Sequence, residues 1–301
     1  QRAEDLKWET TTQTNVGIDF TAFGSRLNIT LDYYFKKTTD MLMNVTMPST
    51  GAYSIPYIQR NEGEMENKGF EIAVNSRNLQ GAFSWDTDFN ISFNKNKLTK
   101  LMYTPMYEDA LTSDHVNAKV VRNQPGRPLG SFYGFISDGV NPETGDLIYR
   151  DLDNSGKGGN PGDQTFIGDP NPDFTFGMTN NLSWKNFNLS IFLQGSYGND
   201  VYNASRMETE GMFDAKNQTT VVLNRWKIPG QITNVPKAGF NMKNSTYFVE
   251  DGSYLRVKTV TLSYNIKSKL LSRAGITRLQ PYFTANNLLT WTKYSGMDPE
   301  V

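Results

Sequence analysis

The residues best suited to bind a metal ion lie between Asp151 and Asp163. Asp151, Asp153 and Ser155 place oxygen ligands at alternate positions, and Gly156 takes the sixth position, as at the start of an EF-hand calcium loop. The glutamate usual at the twelfth position is missing: Gly162 stands there and Asp163 follows. We interpret Asp151, Asp153, Ser155 and Asp163 as a candidate Ca²⁺ site. The alternative is a solvated turn rich in Asp, Asn and Gly.

Residues for catalysis are scarce. His115 is the only histidine, and no P-loop, HExxH or GxSxG string accompanies it. Asp86 and Asp88 could suggest the carboxylate pair of a glycosidase. They lie two residues apart in an alternating segment, so both project from one polar face, as solvated residues would. We predict that the chain is not an enzyme and requires no cofactor, the possible Ca²⁺ aside.

Composition excludes several classes of protein. The 30 basic and 31 acidic residues nearly balance, so the chain lacks the positive charge expected of a nucleic-acid-binding protein. Cysteine is absent, which excludes disulfides and thiolate metal sites. No apolar run approaches the 18 residues of a transmembrane helix. A mean hydropathy of −0.55 still suits a membrane β-barrel, because only alternate residues of such a barrel face lipid.

The segment Thr12 to Met43 sets the pattern for the whole chain. Apolar and polar residues alternate on both sides of Gly24-Ser25, which predicts a hairpin with one apolar and one polar face. Its second strand alternates for about ten residues, the length of a tilted membrane-crossing strand. Similar strands are predicted at Asn67 to Asn75, at Phe83 to Asn94, within the hairpin Phe174 to Gln194, at Ser253 to Ile266 and at Thr277 to Trp291. Leu255 and Val257 have the wrong parity in their strand, which predicts a bulge near Lys258 or Thr259.

These eight strands are joined by alternating short and long connections, as in outer-membrane barrels with short periplasmic turns. Long loops are predicted at Asn44 to Glu66, Lys100 to Asp173 and Gly195 to Gly252. We expect no membrane crossing between Lys100 and Asp173, with Phe132 to Ile136 as a non-spanning segment. Aromatic residues at both strand ends suit the two interfacial belts of a membrane protein. The predicted fold is an all-β segment of a transmembrane antiparallel barrel.

Two alternatives stay open at this point. A small closed eight-stranded outer-membrane barrel could display the long loops for a structural or adhesive role. A soluble β-rich glycan-binding domain could also use alternating strands, although it has no use for two aromatic belts.

Several strings resemble the barrel of SusC/RagA-type TonB-dependent outer-membrane transporters. They follow the family's order along essentially the whole chain: Leu6 to Asn15, Asp32-Tyr33-Tyr34, Asn67 to Glu71, Phe132 to Phe135, Gly168 to Phe174, Asp251 to Arg256 and Asn286 to Glu300.

This resemblance implies a 22-stranded barrel in a Gram-negative outer membrane, filled by an N-terminal plug. A SusD-like surface lipoprotein would cap it, and the TonB complex would drive import of oligosaccharides or peptides. Signal peptide, plug, TonB-contacting segment and closing strands are not found in the sequence. We therefore interpret residues 1–301 as a partial barrel that contacts membrane lipid and depends on the remaining parts for transport.

Cargo contacts follow only from this resemblance. Sugars bind against aromatic rings, so aromatic residues of the long loops are candidates. We single out Tyr53, Tyr57, Tyr197 and Trp226. The alternative is that these rings pack the loops or contact the capping lipoprotein.

Overall fold

The computed structural model describes residues 6–46, 57–102, 107–112, 117–268, 271 and 273–300. Its main feature is one antiparallel sheet of eight strands in chain order. The strands are β1 (Thr10–Ala22), β2 (Leu27–Thr46), β3 (Tyr57–Leu79), β4 (Phe83–Leu101), β11 (Phe174–Trp184), β12 (Phe187–Tyr197), β15 (Tyr254–Tyr264) and β16 (Tyr282–Thr292). Among the described residues, no helix has the length and apolarity needed to cross a bilayer.

The sheet keeps one apolar face across all eight strands. Directly paired residues share a face, so the register can be followed from strand to strand. One such row is entirely apolar: Phe20, Ile29, Val74, Phe89, Met178, Leu193, Val257 and Leu289. The neighbouring row faces the other way and carries most of the polar groups: Asp19, Thr30, Ala73, Asn90, Gly177, Gln194, Arg256 and Thr290. The alternation in the sequence is therefore realised as a two-faced wall.

Asn180 and Thr87 are polar residues on the apolar face, and they hydrogen-bond to one another. Asn180 lies opposite Thr87 in the ladder. Its side-chain oxygen accepts hydrogen bonds from the Thr87 hydroxyl at 2.8 Å and from the Trp85 indole N–H at 2.9 Å. Pairing of this kind lowers the cost of placing an amide on an apolar surface.

The predicted bulge in β15 is confirmed. Val257 pairs with Leu193 and Thr259 pairs with Phe192, so Lys258 is the extra residue. Because of this extra residue, Leu255 and Val257, which precede the bulge, lie on the same face of the sheet as Val260 and Leu262, which follow it.

Three predicted boundaries are wrong. β3 begins at Tyr57, within the predicted loop Asn44 to Glu66, and β4 continues to Leu101. Most residues of these extensions are polar, so they lack the alternation by which a strand is recognised. The final strand begins at Tyr282 and not at Thr277, directly after Pro281, which has no N–H to donate to a ladder.

The connection from β4 to β11 makes no crossing of the sheet, as predicted, because the two strands pair directly. It is not wholly irregular, however. It contains β5 (Tyr107–Thr112), β6 (Asn117–Asn123), β7 (Phe132–Gly134), β8 (Ser137–Val140), β9 (Leu147–Tyr149) and β10 (Thr165–Gly168). Strands β10, β7, β6 and β5 form a separate sheet, which accounts for the non-spanning segment at Phe132.

The connection from β12 to β15 packs against this region. It contains β13 (Asp200–Tyr202), the helix α1 (Ser205–Glu210), β14 (Val249–Asp251) and 3-10 turns at Thr220–Asn224 and Thr246–Phe248; a further 3-10 turn, Pro161–Asp163, precedes β10. A buried cluster joins the two connections: Phe135, Leu147, Tyr149, Met207, Phe240 and Phe248. The hydrophobic core of the molecule therefore lies in the long connections, at one end of the wall.

The sheet is open. Strands β1 and β16 are its two edges and pair with no other described strand on their outer sides. The alternative of a small closed eight-stranded barrel is therefore wrong.

Candidate functional site

The polar face of the wall carries a groove of about 640 Å³ across β1 to β4. Its lining mixes amides, carboxylates, a cation and a phenol: Gln13, Asn15, Asp32, Tyr34, Lys36, Asn67, Glu71 and Asn94. Amide and carboxylate groups of this kind can exchange hydrogen bonds with sugar hydroxyls or peptide backbone. The sequence predicts the polar face, but not the grouping of these residues at one place.

Tyr34 shapes the floor of this groove. It pairs across the ladder with Gly69, and its hydroxyl donates a hydrogen bond to the Asn94 side chain at 2.9 Å. Because Gly69 has no β-carbon, the phenol ring can lie directly over the backbone of β3.

A second feature is the attachment of the segment after β16 to the same face of the wall. Arg256 on β15 is 3% exposed. Its guanidinium donates to Asp298 at 2.5 Å, to Glu300 at 2.7 Å and to the Thr290 hydroxyl at 3.1 Å. Lys258, the bulged residue, also donates to Glu300, at 2.7 Å. Hydrogen bonds from Arg256 and Lys258 hold the pKa of Asp298 and of Glu300, respectively, below their usual values.

A partly buried ionic network ties the same segment to the long connections. The Glu250 carboxylate accepts hydrogen bonds from Ser295, Asn203 and Arg206 at 2.7 to 3.1 Å. Arg206 also pairs with Glu210 at 2.9 Å within α1. Burial acts to raise the pKa of Glu250, but the Ser295 donors and Arg206 outweigh it and the pKa lies below its usual value. Burial beside Glu210 raises the pKa of Tyr247 to about 12.

The candidate calcium residues lie together. Carboxylate oxygens of Asp151, Asp153 and Asp163 lie within 4.8 Å of one another. The 3-10 turn Pro161–Asp163 brings Asp163 inward, where its carboxylate accepts the backbone N–H groups of Leu152 and Asn160 at 2.7 Å. Asp151 accepts the N–H groups of Ser155 at 3.1 Å and Gly156 at 2.8 Å.

Backbone donors stabilise the ionised form of Asp163. Burial acts to raise the pKa of Asp163, but four backbone N–H donors outweigh it and the pKa lies below its usual value. The Ser155 hydroxyl contacts the Asn160 amide at 2.9 Å. Three convergent carboxylates are oxygen ligands of the kind that Ca²⁺ takes, and calcium binding by Asp151, Asp153, Ser155 and Asp163 stays a prediction.

The predicted cargo aromatics have different surroundings. Tyr53 lies outside the described residues, as does His115, and Tyr57 is the first residue of β3. The Trp226 indole donates to the Pro142 carbonyl at 2.7 Å, and its ring lies against Gly145. Tyr197 stacks on Phe174 with ring centroids 5.2 Å apart, on the apolar face of the wall. These contacts give Trp226 and Tyr197 packing roles, and cargo contact by any of the four stays a prediction.

Comparison with known proteins identifies this architecture. A family profile described as TonB dependent receptor-like, beta-barrel matches residues 1–288. The chain belongs to this family of TonB-dependent receptor β-barrels. It is 35% identical to TonB-dependent receptor P3 of Formosa agariphila and 32% identical to TonB-dependent receptor SusC of Bacteroides thetaiotaomicron, with 99% of the chain covered in each case.

Solved structures agree. The RagAB peptide transporter matches 98% of the chain with a TM-score of 0.85 and 28% identity. The chain spans about a third of the length of these relatives: 31% of receptor P3, 30% of SusC and 33% of the RagAB chain. The resemblance to SusC/RagA-type transporters is thus confirmed, as is the prediction that the chain is not an enzyme. The eight strands are a part of an outer-membrane barrel wall, which contradicts the soluble alternative.

Proposed function

We propose that this chain forms part of the wall and outer loops of a TonB-dependent importer of large nutrients, either oligosaccharides or peptides. The observation that carries the proposal is the two-faced wall: one apolar row runs through all eight strands, and the next row is mostly polar. The apolar face contacts lipid and the polar face keeps the channel wet, as in other membrane barrels.

The partners follow from the relatives. The solved relative is described as the RagAB peptide transporter, and a receptor named SusC is 32% identical. By analogy with these, a SusD-like surface lipoprotein caps the long-loop end of this barrel and the TonB complex supplies energy through other parts of the protein. Both oligosaccharide and peptide cargo are compatible with the amides and carboxylates of the groove on β1 to β4.

An uptake assay on cells that express the full-length protein with its lipoprotein partner tests the proposal. Cells receive fluorescently labelled oligosaccharides or, separately, labelled peptides. We expect accumulation of one class, and we expect loss of TonB or collapse of the proton-motive force by a protonophore to stop it. Accumulation that persists without TonB and without the proton-motive force would overturn energised import. Surface binding without accumulation would favour an adhesive role.

A further inference from the structure

The polar face of the wall carries a pocket of about 340 Å³ across β4, β11, β12 and β15, separate from the groove on β1 to β4. We call it the β11 pocket. It lies toward the long-connection end, since Phe174 begins β11, Tyr197 ends β12 and Tyr254 begins β15. Six of its lining residues lie on the polar face: Asn90, Thr175, Gly177, Phe192, Gln194 and Tyr254.

Gly177 forms the floor of the β11 pocket. In the ladder it lies between Asn90 of β4 and Gln194 of β12, and it has no side chain of its own. A β-carbon at this position would lie 3.2 Å from the Asn90 side chain and 3.4 Å from the Phe192 ring. The recess above Gly177 is therefore bordered by an amide on one side and an aromatic ring on the other.

Phe192 is an unusual residue for this face of the wall. It pairs with Thr179 and Thr259, and its ring is partly exposed on the polar side. Every other phenylalanine of the eight described strands lies on the apolar face. The Phe192 ring thus contributes nothing to the apolar face and presents its own apolar surface to the channel.

Tyr254 supplies a second ring, and the pocket carries no charge. The Gln194 amide donates to the Tyr254 hydroxyl at 3.3 Å. None of the residues that line the pocket is charged, in contrast to the groove on β1 to β4. Arg256, which pairs with Gln194 in the ladder, is held by Glu300 at 2.7 Å. The pocket therefore suits an uncharged ligand with an apolar face and hydrogen-bonding edges.

We propose that the β11 pocket binds an uncharged pyranose ring of an oligosaccharide. The slightly positive C–H groups on one face of the sugar pack against the negative face of an aromatic ring, Phe192 or Tyr254. Hydroxyl groups at the edge of the sugar exchange hydrogen bonds with the amides of Asn90 and Gln194. The charged ends and side chains of a peptide meet no opposite charge in this lining. The assignment rests on the proposed import function, whose cargo it specifies as a glycan.

Binding of methyl β-D-glucopyranoside, methyl β-D-galactopyranoside and methyl α-D-mannopyranoside to the purified full-length protein tests this assignment. Titration followed by saturation-transfer difference NMR measures the affinity, in a detergent that has no sugar headgroup. We expect at least one glycoside to bind. Phe192→Leu keeps an apolar side chain but removes the ring, and it should bind that glycoside roughly ten-fold more weakly.

Two further variants separate the loss of the ring from a loss of folding. Phe192→Tyr retains the ring and should bind normally. The matched control is Phe187→Leu, which removes a ring from the apolar face of the same strand and should also bind normally. An equal loss of binding in Phe187→Leu and Phe192→Leu would overturn the assignment of the sugar to Phe192.

Other results would also overturn the proposal. These are failure of all three glycosides to bind, and equal binding by Phe192→Leu and the wild type. Tighter binding of a capped tetraalanine peptide, reduced in Phe192→Leu, would overturn it in favour of peptide cargo. The measurement needs neither TonB nor a proton-motive force. Sugar binding can therefore fail while energised uptake succeeds, or succeed while uptake proves independent of TonB.

Discussion

The phenol ring of Tyr34 lies so close to its cross-strand partner Gly69 that a β-carbon at position 69 would come within 2.4 Å of the ring and 2.6 Å of the Phe93 carbonyl oxygen. Two separate contacts therefore require glycine at position 69. A rotation of the Tyr34 side chain relieves the contact with the ring, but the contact with the Phe93 carbonyl remains. The contact joins β2, β3 and β4, since the same tyrosine donates to Asn94.

Gly69→Ala should therefore impair assembly of the barrel. Overpacking of this kind costs about 1–3 kcal/mol, and we expect less heat-modifiable, folded full-length protein in the outer membrane. Gly177→Ala on the same face is the matched control. Its nearest neighbours are the flexible Asn90 side-chain atoms at 3.2 and 3.3 Å, so it should assemble almost normally. Equal assembly of the two variants would contradict the packing argument.

The two faces of the wall predict opposite environments for adjacent residues. Because this chain contains no cysteine, single cysteines can be introduced and spin-labelled. Labels at Phe20, Phe89 and Leu262 should be broadened by dissolved oxygen and protected from aqueous nickel reagents. Labels at Asp19, Asn90 and Ser263 should show the reverse. Aqueous accessibility at the first set would mean that the apolar face does not contact lipid.

Much of the wall could be predicted from the sequence because the bilayer imposes a period of two on every strand that crosses it. The same period of two predicts the bulge at Lys258, because the apolar residues of β15 change from odd to even positions there. The strand at residues 57–66 could not be predicted because most of its residues are polar, so apolar and polar residues do not alternate there. No local pattern encodes the contact of Phe135 with the cluster around Phe248, since these residues are far apart in the sequence. The sequence spacing predicts that Asp163 lies near Asp151. It does not predict the 3-10 turn Pro161–Asp163 that brings Asp163 to this position.

The convergence of Asp151, Asp153 and Asp163 predicts a dependence on calcium. Addition of millimolar Ca²⁺ to chelator-treated full-length protein should raise its melting temperature, because a ligand bound only by the folded state stabilises that state. Asp153→Ala should abolish the increase. Glu143→Gln, an exposed acidic residue of the same connection, should leave it intact. Failure to detect bound metal at millimolar Ca²⁺ would leave the cluster as a solvated turn.

Protonation of Glu250 should loosen the contact between the long connections and the segment after β16. The folded-state pKa of Glu250 lies below its usual value of 4.5. Its stabilising contribution is therefore complete above pH 4.5 and is lost as the pH falls through the lower, folded value. The protection of the Ser295 amide against hydrogen exchange, relative to an unstructured amide at the same pH, should fall in that acidic range, because this amide donates to Glu250 at 2.7 Å. In Glu250→Gln the protection should already be low at neutral pH, and no further loss should occur below pH 4.5.

Arg256 should decide whether the segment from Tyr294 to Glu300 stays attached to the wall. Replacement by Gln removes both ion pairs, and Glu300 keeps only the ion pair with Lys258 and a 3.3 Å hydrogen bond from Gln194. Because both carboxylates are partly exposed, we expect a loss of about 1–2 kcal/mol in local stability, less than for a fully buried pair. Limited proteolysis of the full-length protein should then cut this segment several-fold faster while the heat-modifiable barrel persists. Lys258→Gln is the control: Glu300 keeps its bond to Arg256, so cleavage should change little. Equal protection in Arg256→Gln and the wild type would show that other contacts, such as Ser295 with Glu250, hold the segment by themselves.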